Sequence, residues 1–180
     1  LDVQILGPSR HVAVAIIGCS SPPKKPAKPK QIEGYSMSQP SGWEARKGIR
    51  GADITYISPK EDEKDKFREN ISVSVVMIPP KMDGQSYLAY KLSMLKKNYQ
   101  KFKVEAQQPV KAGLVDGTYL RYTYVGRPGP MTSEEYMFVK KGMIYTITCE
   151  ALTSSYVRYK PAFDTVLGTP KHFVGDGGTV

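Results

Sequence analysis

The stretch from Thr118 to Glu150, TYLRYTYVGRPGPMTSEEYMFVKKGMIYTITCE, decides the fold. In its first part Tyr119 and Arg121 share one side of an extended chain, while Leu120, Tyr122 and Tyr124 share the other. Aromatic and β-branched residues on a period of two mark a half-buried strand. Glu134 to Lys140 and Met143 to Glu150 repeat the pattern, and Lys140-Lys141-Gly142 joins them as a tight hairpin turn. The other joint, Gly126-Arg127-Pro128-Gly129-Pro130-Met131, reads as a longer loop whose tip exposes Met131 beside Arg127. An antiparallel meander follows.

Working outward, Phe102 to Pro109 adds a strand before the meander, and Ser86 to Lys101 changes period. There Leu88, Leu92, Leu95 and Tyr99 fall on one helical face, Asp83 or Ser86 can cap the start, and Lys96, Lys97 and Lys101 complement the dipole at the end. Lys91, Lys96 and Lys97 would form a basic outer face. Asn70 to Ile78 alternates cleanly up to Pro79-Pro80, and Ala52 to Ile57, Trp43 to Lys47 and Gly34 to Gln39 read as shorter strands. Between them, Lys60 to Glu69 (KEDEKDKFRE) has mixed charge and no apolar period, which suits a solvated loop. Ser154 to Leu167 is helical with Pro161 inside, so a kink or two short pieces is expected, and a last strand falls near Lys171 to Val174. The expected class is α+β: a central antiparallel sheet flanked by two helices.

The chain has 180 residues, 40% hydrophobic, enough for one ordinary core. Its net charge of +9 is unevenly placed. Asp2 and Arg10 cancel within residues 1–18. Lys24, Lys25, Lys28 and Lys30 against Glu33 give the next segment, 19–33, three positive charges, and the rest is spread over the remainder. Diffuse basicity suits an anionic partner such as lipid headgroups or cell-wall polymer. No apolar run is long enough for a membrane-spanning helix.

Ahead of the domain, Ile16-Ile17-Gly18-Cys19 fits the lipobox of a lipoprotein signal peptide, with Cys19 as the acylated residue. Pro22-Pro23-Lys24-Lys25-Pro26-Ala27-Lys28-Pro29-Lys30 then forms an extended, semi-rigid spacer of the kind a membrane tether needs. The expected organisation is a signal-peptide remnant over residues 1–18, lipidated Cys19 and tether over 19–33, one domain over 34–174 and a flexible tail over 175–180. Cys149 is the only other cysteine, and alternation puts it with Met143, Tyr145 and Ile147 on the apolar side of a strand, as a buried thiol.

Gly34-Tyr35 with Pro40-x-Gly42-Trp43, Phe67-x-Glu69-Asn70-Ile71-Ser72-Val73, the Tyr119 to Val125 strand, the hairpin from Glu135-Tyr136 to Thr148, and Phe163-Asp164-x-Val166-Leu167 together resemble the PsbP-like family, over about Ile32 to Phe173. The resemblance implies an α/β/α sandwich of a central antiparallel sheet between helices. It also implies a binding or assembly module, because family members share architecture without a common chemistry.

The residues point the same way. His172 is the only histidine beyond His11 in the leader, so neither a nucleophile–histidine pair nor a histidine-based metal site is expected. No cofactor is expected. Glu134 and Glu135 are neighbours on one strand and point to opposite faces, which disfavours an acid/base pair. Interleaved tyrosines and cations raise nucleic-acid binding, but half-buried strands produce the same pattern, and no nucleic-acid partner is expected. The reading is therefore a non-catalytic, extracytoplasmic lipoprotein, monomeric, anchored in the cell envelope by its N-terminal lipid and binding or helping to assemble a membrane-associated protein. Lys91, Lys96, Lys97, Arg127, Met131, Lys140 and Lys141 are its candidate contact residues. A photosystem II accessory subunit of the thylakoid lumen, a small-ligand carrier and a carboxylate-based enzyme are the alternatives.

Overall fold

The computed structural model describes residues 30–32, 35–113 and 115–167. Cys19, residues 20–29 of the expected tether, the strand expected near 171–174, the tail and both histidines lie outside the described residues, whereas Lys30–Ile32, expected to end the tether, form a strand that pairs with Tyr35–Met37. In chain order the elements are β1 (Lys30–Ile32), β2 (Tyr35–Met37), β3 (Glu44–Arg46), a 3-10 turn (Ile49–Gly51), β4 (Ile54–Ile57), β5 (Asn70–Met77), α1 (Gly84–Asn98), β6 (Gln100–Ala112), β7 (Val115–Gly126), β8 (Gly129–Lys140), β9 (Met143–Leu152) and α2 (Tyr156–Leu167).

β1 and β2 pair with each other, and the other seven strands form one antiparallel sheet in the order β3-β4-β5-β9-β8-β7-β6. After β5 the chain leaves the middle of the sheet, runs through α1 to the far edge at β6, and returns as the meander β6-β7-β8-β9 until β9 pairs with β5. The β8–β9 turn is Lys141-Gly142, with φ of 51° and 73°, the left-handed pair that a two-residue hairpin demands. The β7–β8 joint is not the long loop expected. The ladder continues to Gly126 opposite Gly129, so only Arg127-Pro128 turn the chain, and Pro130 and Met131 belong to β8.

The period of two sorts side chains between the faces. One face carries Tyr56, Ile71, Val73, Phe138, Ile147 and Cys149, and α2 closes it with Phe163 and Val166, all at most 1% exposed. Trp43 meets Tyr159 and Phe163 edge-on, with ring centroids 6.0 and 6.4 Å apart, and so ties the entry to β3 against α2. α2 is a single element despite Pro161. The carbonyl deprived of its partner belongs to Val157, which is 80% exposed, so water can replace the missing N–H.

α1 packs on the opposite face. Leu88, with Leu92, Leu95 and Tyr99 partly buried beside it, covers Leu120, Tyr122, Met137 and Ile144. Asp83 caps it by accepting a hydrogen bond from the Ser86 N–H at 2.8 Å. The architecture is thus α+β with a helix on each side of an antiparallel sheet, and Cys149 is a fully buried thiol whose pKa is pushed well up by burial.

Candidate functional site

α1 contacts β6 and β8, reaches Ile144 at the start of β9, and leaves β4, β5 and the Glu150 end of β9 uncovered. Two adjoining hollows of roughly 630 and 540 Å³ lie there, both bordered by Arg50, Lys66, Phe67 and Glu150. Thr55, Asn70, Ser72 and Ser74 floor the first, and Tyr99, Tyr124 and Met131 floor the second with Arg127 at its rim. The floor follows from alternation. In Asn70-Ile71-Ser72-Val73-Ser74 the apolar residues turn to the α2 face, so the polar ones must turn to this one. Register then sets Thr55 opposite Ser72 and Ser72 opposite Thr148, a hydroxyl row across three strands.

The walls come from distant segments. Arg50 sits between Gly48 and Gly51 in a turn where all three have positive φ, of 51°, 70° and 80° respectively. The glycines adopt that conformation freely, whereas it costs an L-residue such as arginine roughly 1–2 kcal/mol. Arg50, Lys60, Lys66 and Arg127 form no ion pair with any described residue, whereas Arg68 is held by Glu44 at 3.2 Å.

Tyr99 stacks on Tyr124 with centroids 4.0 Å apart and planes 11° from parallel, and the Tyr124 hydroxyl donates to Glu150 Oε1 at 2.5 Å. Burial lifts the Tyr99 phenol, Glu150 and Glu135 add to the rise, and Arg50 pulls it partly back. Burial also raises the Tyr124 phenol, with Glu150 reinforcing the shift. Both phenols stay protonated, and that of Tyr124 acts as the donor to Glu150.

Glu134 and Glu135 point to opposite faces, as alternation requires, and both are buried, at 0% and 3% exposed. Glu134 accepts from the Tyr119 hydroxyl at 2.7 Å and from Tyr156 on α2, with Lys160 Nζ at 3.8 Å from its other oxygen. Glu135 accepts from the Tyr122 hydroxyl at 2.8 Å and pairs with Lys91 on α1. Each helix is therefore pinned to the sheet by a carboxylate, a phenol and a lysine. Glu69, 2% exposed, is similarly met by the hydroxyls of Ser155 and, at 3.4 Å, Ser58. Among the described residues no group of His, Cys, Asp and Glu converges in a way that could hold a metal ion.

No family model matches the sequence, and no curated protein does. Solved structures do. LpqN of Mycobacterium tuberculosis, described as involved in cell envelope biogenesis, superimposes with a TM-score of 0.61 at 15% identity, covering 79% of this chain and 83% of its own. CyanoP, the cyanobacterial PsbP of Synechocystis, gives 0.56 at 17%, covering 76% and 85%. A Pseudomonas aeruginosa protein of unknown function gives 0.58 at 11%, covering 84% and 98%. The chain has the PsbP-like fold.

On this PsbP-like domain the residues singled out in the sequence scatter. Lys96 and Lys97 are exposed on the last turn of α1, Lys141 is exposed in the β8–β9 turn, and Lys140 is partly buried beside it. Arg127 reaches the groove. Two expectations are corrected. Met131 is 2% exposed, because the ladder extends through it and sets it opposite Tyr124 and Leu152. Lys91 is not part of a free basic face: its ammonium turns to the sheet and pairs with Glu135, leaving the side chain 18% exposed. Arg50, Phe67, Tyr99 and Glu150 are absent from the contact residues the sequence suggests. Phe67, the one apolar residue in the charged run 60–69, was the available signal, and it turns inward against the α1-side core.

Proposed function

We propose that this chain is a non-catalytic binding module of the cell envelope, tethered outside the cytoplasm through lipidated Cys19, whose groove beside α1 receives part of a membrane-associated partner. The observation that carries the reading is the groove itself: a concave, solvent-open surface bordered by four cations that the described residues leave unpaired. Such a surface attracts and orients an anionic ligand without any chemical step. The carboxylates an acid/base mechanism would draw on, Glu134, Glu135, Glu150 and Glu69, are instead each engaged by tyrosine or serine hydroxyls. LpqN, with the same fold, is described as an envelope-biogenesis protein, which supports the placement.

Membrane fractionation of the full chain and a Cys19→Ser variant tests the tether. The wild type should sediment with membranes until detergent is added, and the variant should be released without it. A variant that still sediments sinks the tether. A photoreactive side chain at position 60 tests the module, and it should capture a membrane-associated species that an equivalent probe at position 103, on β6 and away from the groove, does not.

A further inference from the structure

We propose that the groove binds an anionic sugar chain. The proposal rests on the reading above only in taking the groove as the ligand site. Its floor is the face of a sheet, not an edge, so the backbone N–H and C=O groups of β4, β5 and β9 are consumed by their own ladders. An extended peptide recognised through its main chain would need a free edge. This floor offers side chains alone, and those of Thr55, Ser72 and Asn70 each both donate and accept, which is the requirement for pairing with sugar hydroxyls.

Thr55 makes the point most sharply. It is 4% exposed, lines the groove, and its Oγ1 has no hydrogen-bond partner among the described residues. A buried hydroxyl left unmet is costly, and a turn about χ1 would bring it to a ligand hydroxyl on the groove floor. Further along, Tyr99 and Phe67, both only half-buried where they line the second hollow, supply apolar ring surface suited to the C–H face of a pyranose ring. Arg50, Lys66 and Arg127 then call for negative charge on the ligand. Two adjoining hollows, of roughly 630 and 540 Å³, suit a chain of sugars better than a single one.

The test is titration calorimetry of the 180-residue chain with four probes: a galacturonate hexamer, a phosphorylated maltohexaose, neutral maltohexaose and a polyglutamate of similar length. Binding of either charged sugar, with the neutral sugar and polyglutamate much weaker, is the expected result, and the preferred charged sugar identifies the anion as carboxylate or phosphate. Lys66→Ala and Arg127→Ala should each weaken that binding by about fivefold, the scale of one exposed charge contact. Thr55→Val should weaken it by about fivefold while leaving the unliganded protein at least as stable, because it removes a hydroxyl that folding leaves unpaired. A Thr55→Val protein with unchanged sugar affinity, polyglutamate binding as well as the charged sugars, or neither charged sugar binding would each overturn the proposal. If the probe at position 60 still captures a membrane-associated species while both charged sugars fail, the ligand class falls and the module reading stands.

Discussion

The two faces of the sheet are made from the same strands and have opposite fates. The α2 face is closed: Tyr56, Ile71, Val73, Phe138, Ile147 and Cys149 meet Phe163 and Val166 with almost no exposure. The α1 face is closed where Leu88, Leu92 and Leu95 meet Leu120, Tyr122 and Ile144, and open over β4, β5 and the Glu150 end of β9, where hydroxyls, an amide and cations with no ion-pair partner among the described residues replace the apolar residues. In β5 the two characters alternate residue by residue. Stability is thus concentrated on one face and availability for ligand on the other, which lets the groove vary without endangering the fold.

The closed face is most vulnerable at Phe163. Phe163→Ala opens a cavity in the closed face and should cost about 3–5 kcal/mol in urea unfolding; a loss below about 1 kcal/mol would mean that α2 does not close that face. Next is Lys91→Ala, which strands Glu135 in the α1-side core. It should cost about 3 kcal/mol, the lower end for breaking a buried pair, because Lys91 keeps some exposure. Lys91→Met should recover little, since the buried carboxylate remains.

Alkali strains both faces through their phenols. Burial raises the phenols of Tyr119 and Tyr156 on the α2 side and of Tyr122 and Tyr124 on the α1 side, each reinforced by its carboxylate neighbour. Tyr159 is pushed up to about 12 by burial and its hydrogen bond to Glu61. An unfolded tyrosine ionises near pH 10, so above that pH only the unfolded state gains. Stability that is full below pH 10 should therefore fall steadily as pH rises above it, and Tyr122→Phe should flatten that fall when urea midpoints are measured from pH 8 to 11. The smallest effect belongs to the groove. Arg50→Gly removes a left-handed L-residue and should shift stability by no more than about 1 kcal/mol in either direction, while weakening capture of ligand; a large loss of stability would show that Arg50 holds the fold.

Much of the fold was legible because it rests on local pattern. Alternation in Thr118 to Val125, Asn70 to Ile78 and Met143 to Glu150 placed strands close to their observed bounds of Val115–Gly126, Asn70–Met77 and Met143–Leu152, and the turn expected at Lys140-Lys141-Gly142 is closed by Lys141 and Gly142. The errors came where pairing overrides local signals. Gly126 to Met131 carries enough glycine and proline for a loop, but the partners Val125 and Leu152 draw Pro130 and Met131 into the ladder. Lys91 reads as solvated by residue type, yet a buried carboxylate on a facing strand turned it inward. The site was less legible than the fold. Arg50, Lys66, Tyr99, Arg127 and Glu150 lie on five separate segments, and nothing local to any of them marks it as a neighbour of the others.

By itself the sequence determined the strands, the helical face of α1, the inward placement of Cys149 and the opposed orientation of Glu134 and Glu135, because periodicity of two or 3.6 fixes which side a residue faces. Only the tertiary structure decided that α1 stops short of covering its face and that four cations converge beside the uncovered strands. Those outcomes depend on register, on crossover length and on where a helix comes to rest, which are set by contacts between residues far apart in the chain.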